Sequence, residues 1–185
     1  MTESELVPKE RFERLYAECA SAVLAYALRR ASPEEAADAA ASTFVVAWRR
    51  LDELPTGREL AWLYGVARRV LATQRRAIGR QRAVAFRLAG EERAFTGPGF
   101  DVVREPVLEA LAELDERERE VLMLTAWEGL SGREAAAALG CSETAYRIRL
   151  HRARRRLQAR LTTLDSPEAR ARPPAPRKSE ETLSW

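Results

Sequence analysis

Only two cysteines, Cys19 and Cys141, occur in the 185 residues, and neither sits in a CxxC pair or beside a histidine. That excludes a disulfide framework and a zinc site, and both thiols are expected as small buried side chains. Histidine occurs once, as His151, without a nucleophile or carboxylate close by in sequence. No glycine loop to cradle phosphate, no GxSxG and no HExxH is present, and the carboxylates fall at helix caps or on polar faces. Catalysis is therefore not expected, and no metal or cofactor is implied. No apolar run approaches the ~20 residues that span a bilayer. The start, MTESELVPKERFERLYAE, is acidic and has no signal-like apolar stretch, which predicts a cytoplasmic protein without membrane insertion. Strand patterns and internal repeats are missing as well, so an all-α chain is predicted.

Lysine is almost absent too: Lys9 and Lys178 are the sole examples, and nearly all positive charge is arginine. The net charge of +3 hides how that charge is distributed. The stretch from Arg68 to Arg87 contains no acid, and that from Glu143 to Arg160 contains only Glu143. Between them, Asp101 to Glu120 is strongly acidic. Two separate basic patches predict two contacts with a polyanion. Arginine, unlike lysine, can fork onto phosphates and guanine edges.

The most informative stretch is 131–157, SGREAAAALGCSETAYRIRLHRARRRL. Ser131 with Glu134 forms a capping box that starts a short helix, and Gly140 supplies the left-handed residue that stops it. Ser142 then caps a second helix, on which Tyr146, Leu150, Ala153 and Leu157 recur as one apolar face. The opposite face carries His151 and a series of arginines. Helix, tight turn and basic helix form a helix-turn-helix pattern, whose second helix enters a DNA major groove. An ordinary helical hairpin with a solvated basic face is the plainer reading.

Upstream, a bundle is predicted. A first helix from about Glu10 to Arg30 turns Phe12, Leu15, Tyr16, Val23, Tyr26 and Ala27 inward. Ser32-Pro33-Glu34-Glu35 starts a second, burying Ala36, Ala37, Ala40, Phe44, Ala47, Trp48 and Leu51. Leu54-Pro55-Thr56-Gly57 breaks it. A third helix, roughly Glu59 to Ala77, buries Leu63, Val66, Ala67 and Val70. On this helix Trp62, Arg69 and Arg76 recur every seven residues beside Tyr64, Arg68 and Arg75, and Gly65 leaves the backbone open near Trp62. Such a stripe suits unpaired bases that stack on rings while guanidiniums follow phosphates. It equally suits a core tryptophan with a solvated arginine face. Downstream, one helix carries Val107, Leu108, Leu111 and Leu114, and Asp115 with Glu118 caps the next, carrying Val121, Leu122, Leu124 and Trp127. The predicted organisation is two small helical domains, 10–80 and 105–161, joined by a flexible linker over 81–104 that ends in Thr96-Gly97-Pro98-Gly99. A disordered tail over 162–185 follows.

Taken in order, YALRR, PEEAADAAASTFVVAWRRLDEL and AWLYGVARRVLATQRR resemble region 2 of the extracytoplasmic-function (group 4) sigma factors of bacterial RNA polymerase. LAELDERERE-VLMLTAWEGLSGREAAAALGCSETAYRIRLHRARRRL resembles their region 4. The resemblance implies a promoter-specificity subunit with no catalysis of its own. Its region 4 would read the −35 element through Glu143, Thr144, Arg147, Ile148, His151 and Arg152. Region 2 would meet the clamp coiled coil of the polymerase core through the helix holding Asp38, Ser42, Phe44, Val45, Trp48 and Arg49. It would also capture flipped −10 bases with the loop Leu54, Pro55, Thr56 and Gly57, and with Trp62, Arg68, Arg69, Arg75 and Arg76. Promoter DNA, the polymerase core and an anti-sigma protein are the implied partners. A stand-alone helix-turn-helix regulator is the alternative. The chain departs from the family pattern at Ala41-Ser42, where polar docking groups are usual, at Tyr146, where a small branched residue is usual, and at Ile148, whose side chain suits a thymine methyl.

Overall fold

The computed structural model describes residues 8–85 and 105–164; the predicted linker beyond Ala85 and the Pro-rich tail beyond Leu164 lie outside the described residues. Among those described, α1 (Pro8–Leu28), α2 (Pro33–Arg49) and α3 (Glu59–Ala85) form the first half. The second half comprises α4 (Glu105–Ala112), α5 (Glu116–Ala126), α6 (Gly132–Leu139) and α7 (Glu143–Leu164).

Local signals set these boundaries as expected. The Ser32 amide donates to Glu35 Oε2 at 3.1 Å while the Glu35 amide donates back to Ser32 Oγ, and Pro33 occupies the first turn of α2. That satisfies two amides that have no partner within the helix. A short 3-10 turn at Leu51–Glu53 follows α2, and Gly57 at φ +74° carries the chain into α3. Ser131 and Glu134 repeat the capping box on α6, and Gly140 at φ +66° ends that helix. The Glu118 amide donates to Asp115 Oδ1 at 2.8 Å, and the Ala145 amide to Ser142 Oγ at 3.2 Å, starting α5 and α7.

Elsewhere the structure corrects the expected pattern. The third helix does not stop near Ala77 but runs to Ala85, eight residues further. The Ala, Arg and Gln that follow Ile78 are good helix formers and outweigh one glycine, even without an apolar stripe. Likewise α7 continues to Leu164, into the stretch expected to be tail. On α1 and α2, Tyr16, Ala37 and Trp48 face outward instead of into the core. The apolar residues of α2 surround the helix, so the inward face is set by α1 and α3 and falls on Ala36, Ala39, Ala40, Thr43, Phe44 and Ala47. The buried Thr43 hydroxyl is satisfied by donating to the Ala39 carbonyl at 2.7 Å. Of the cysteines, Cys19 is buried as expected and Cys141 only half so.

The two halves share a core. Val23, Tyr26 and Ala27 of α1 and Leu63, Tyr64 and Ala67 of α3 pack in one continuous cluster with Leu124, Ala135, Ala136, Ala138 and Tyr146 of the second half. A smaller cluster of Leu111, Leu114, Leu122 and Ala153 belongs to the second half alone. Helices α3 and α6 approach closely at Gly65, where an added Cβ would meet the Ala138 carbonyl oxygen at 3.1 Å. Gly65 therefore does not leave the backbone open beside Trp62. It admits α6.

Candidate nucleic-acid interface

The helix-turn-helix is built from its buried side outward. Tyr146 and Ala153 are fully buried beneath α7, and Leu150 and Leu157 are half-buried. The Tyr146 hydroxyl donates to the Val121 carbonyl at 3.0 Å and lies 2.5 Å from Thr125 Oγ1. These partners satisfy the hydrogen-bonding capacity of the buried phenol. Burial, only partly offset by Thr125, pushes its pKa upward.

With that face pinned, Glu143, Thr144, Arg147, Ile148, His151 and Arg152 all turn to solvent along one side of α7. Their spacing is that of a single helical face. Arg147 Nη2 donates to Glu143 Oε1 at 3.0 Å, one turn away, which holds the guanidinium along the helix surface. Ile148 is 48% exposed, an apolar side chain placed among charges. Further along, Arg156 Nη1 meets Glu118 Oε1 at 2.5 Å and Arg160 Nε meets Glu113 Oε2 at 3.2 Å. Arg156 and Arg160 brace α7 against the elements behind it, while the six residues named at its N-terminal end face solvent.

On α3 the arginines divide. Arg69 and Arg76 are exposed, and Arg76 Nη2 donates to Thr73 Oγ1 at 3.2 Å. Burial and then the neighbouring charges of Arg68 and Arg50 push the Arg69 pKa down. Arg68 is half-buried, with its Nε enclosed and without a partner. Arg75 Nη2 donates to the Arg30 carbonyl at 2.6 Å, and its guanidinium pairs with Glu116 of the second half. Arg75 is thus engaged within the chain and not held ready on an open stripe. Trp62 is half-buried, with the Arg50 guanidinium 5.9 Å from its ring centre. It lines a cleft of about 510 Å³ with Arg50, Arg58 and Arg69, whose far wall is Ala137 and Ala138 of α6. Arg50 and Arg58 were absent from the expected site. Their signal was position, since they bracket the Leu54–Gly57 break.

In that break, Pro55, Thr56 and Gly57 are exposed, but Leu54 is buried and anchors the loop from below. The loop also borders a cleft of about 390 Å³ whose other wall includes Arg11 and Arg14 of α1.

The expected docking face of α2 is similarly sorted. Asp38, Ser42, Val45, Trp48 and Arg49 are exposed, whereas Phe44 is buried. Phe44 packs edge-on against Tyr16, ring centres 4.7 Å apart, and supports the surface from beneath. Trp48 meets Phe12 edge-on at 5.1 Å. Tyr16, Val45 and Trp48, each about half exposed, form an apolar patch of the kind that marks protein contact sites.

Residues 15–81 match the family described as Sigma-70 region 2, and residues 104–157 match Sigma-70, region 4. The RNA polymerase sigma factor CnrH of Cupriavidus metallidurans is 36% identical over 143 residues, covering 67% of this chain and 72% of CnrH. The chain belongs to the extracytoplasmic-function sigma factors of the sigma-70 family. Another such factor, the ECF RNA polymerase sigma factor SigD of Mycobacterium tuberculosis, is 38% identical over 104 residues, which is 54% of this chain. That match spans about half, 49%, of the length of SigD. Among solved structures, the sigma factor RpoE from Bartonella quintana, in complex with the anti-sigma factor NepR, superposes with a TM-score of 0.68 at 28% identity. The match covers 85% of this chain and 99% of that one. CnrH in complex with the cytosolic domain of CnrY gives 0.55, also at 28% identity, covering 89% and 94%. Both exposed basic surfaces of this sigma factor therefore fall within matched regions: the α7 face in region 4 and the α3 stripe in region 2. No helix among the described residues is long and apolar enough to cross a membrane.

Proposed function

We propose that this chain directs transcription initiation by joining bacterial RNA polymerase core and recognising two promoter elements. The single observation that carries this reading is the pairing of two unlike arginine surfaces on the two matched regions of one polypeptide. The α7 face, six outward side chains at the start of a braced helix, suits the major groove of a −35 element. Glu143 and Arg147 offer an acceptor and a fork for base edges, and Ile148 an apolar contact. The α3 stripe suits a −10 strand whose bases have left the stack. Unstacking costs a few kcal/mol per step, and seating extruded bases against Trp62 and the loop Pro55–Gly57 offsets it. The apolar patch of Tyr16, Val45 and Trp48, with Asp38, Ser42 and Arg49 around it, is the surface for the clamp coiled coil of polymerase. The conjunction of Trp62 with the arginines of α3 is what a duplex-only regulator does not need. The chain performs no chemistry of its own and works in the cytoplasm, where polymerase and promoter are.

An anti-sigma protein is proposed as a further partner, because the relatives RpoE and CnrH were solved with NepR and CnrY bound. The decisive experiment is run-off transcription with sigma-free polymerase and fragments of the genome from which the chain comes. Initiation from a subset of fragments sharing two spaced elements supports the reading. Duplex binding without any association with polymerase would favour the stand-alone regulator.

A further inference from the structure

We infer that Ile148 fixes one base pair of the −35 element: its side chain covers the C5 methyl group of a thymine and turns away a G·C pair at the same place. That role rests on the proposed seating of α7 in the major groove and adds which sequence the groove must carry.

The outward residues of α7 fall into two rows, each stepping one helical turn at a time. Glu143, Arg147 and His151 make one row, and Thr144, Ile148 and Arg152 the other. Arg147 Nη2 donates to Glu143 Oε1 at 3.0 Å, so its guanidinium lies back along its own row. Ile148 is left 48% exposed and belongs to neither apolar core. Isoleucine is also a poorer helix former than the arginine, alanine and leucine around it. Neither helix propensity nor core packing accounts for it here. Among the described residues the other large exposed apolar side chains, Tyr16, Leu24, Val45 and Trp48, all lie on α1 and α2. A single exposed isoleucine is ordinary on a protein surface and too small a patch for a protein partner. What distinguishes Ile148 is its place, in the middle of a face whose arginines suit a polyanion.

The major groove of a duplex presents one apolar group by which bases differ, the C5 methyl of thymine; the other distinguishing groups are donors and acceptors. Against a G·C pair, Ile148 would strip water from guanine O6 and N7 or cytosine N4 and return no hydrogen bond, which costs affinity. Against thymine it removes two apolar surfaces from water at once. The one side chain therefore favours its own base and penalises the competitor. One turn earlier in the same row, the methyl of Thr144 extends the apolar surface toward the start of α7. Arg152 closes the row at the other end with a cation.

The test uses the full chain together with sigma-free polymerase. Duplexes enriched by this holoenzyme from a random-sequence pool supply the probe, and each thymine of the upstream element, on either strand, is replaced singly by deoxyuridine. That exchange removes the methyl and keeps every hydrogen-bonding group. At one position it should weaken wild-type binding about fourfold, the worth of burying one methyl-sized group. Ile148→Ala should bind the thymine probe weaker by about the same factor and no longer respond to the exchange. Ile148→Val keeps a branched apolar surface and should still respond. Enrichment with Ile148→Ala should lose the thymine preference at that position alone. Because Ile148 is exposed, Ile148→Ala should melt with wild type in circular dichroism; a clear fall would make it a packing residue and overturn the inference. An upstream element without thymine, no uracil penalty at any position, or a penalty undiminished in Ile148→Ala overturns it too, and leaves the promoter reading standing. A pool from which wild-type holoenzyme enriches nothing sinks both.

Discussion

The arginines of α7 and those of α3 look alike in composition, yet the structure gives them different circumstances. At the start of α7, six adjacent positions face solvent because Tyr146 and Ala153 occupy the opposite side. On α3, Arg75 is tied to Glu116 and to the Arg30 carbonyl, Arg68 is half-buried, and α6 crosses at Gly65. One surface is ready to bind, and the other is partly occupied by the chain itself. The lesson is that an arginine run reports charge, whereas accessibility depends on which element packs across it.

The largest effect that would break this contrast concerns the interface. Arg30→Leu should leave Glu120 buried without a counter-ion and Glu128 with Arg29 alone, and cost about 3–5 kcal/mol in urea denaturation. Arg154→Ala, on the exposed side of α7, should change stability by no more than about 0.5 kcal/mol. Equal costs for the two would mean that the interface is no more than a surface ion pair. Arg147→Ala should weaken −35 duplex binding by about 1–3 kcal/mol and relax preference at one position. A uniform loss over all sequences would mark a phosphate contact instead. Trp62→Ala should spare duplex binding and lose about 1–3 kcal/mol at the opening step, the worth of one stacked base. Permanganate footprinting reads that directly, and unchanged opening would reduce Trp62 to a packing residue. Tyr146→Phe should cost about 1 kcal/mol in a thermal melt through its lost hydroxyl bonds, with base preference intact.

A further effect is read by pH. Burial, and next the charge of Glu128, push Tyr64 up from its ordinary 10.0 to about 12. A raised folded value means that its contribution to stability is complete below pH 10 and is lost as pH rises toward 12. Interface stability should fall in that window, and Tyr64→Phe should flatten the fall in chemical denaturation.

Much of the fold was legible from short-range signals. The capping boxes at Ser32 and Ser131, the stop at Gly140 and the buried side of α7 each depend on neighbours within four residues. The outward set Glu143 to Arg152 followed from them and appears as expected. The exposure of the α2 face expected to dock was legible in part: Val45, Trp48, Asp38, Ser42 and Arg49 are exposed, while Phe44 is buried and Tyr16 takes a place on the surface. An alanine-rich helix has no unique inward face until its partners choose one.

By itself, the sequence determined an all-helical chain, the places where helices start and stop, and the existence of two arginine-rich faces. These follow from hydrogen bonds and side-chain spacing inside single helices. The tertiary structure alone decided which arginines stand free, because the groups that engage them come from far along the chain. Glu128 lies 99 residues from Arg29, and Glu120 lies 90 from Arg30. No local rule relates such pairs, and only the packing of α5 and α6 against α1 and α3 turns a solvated charge into a buried one.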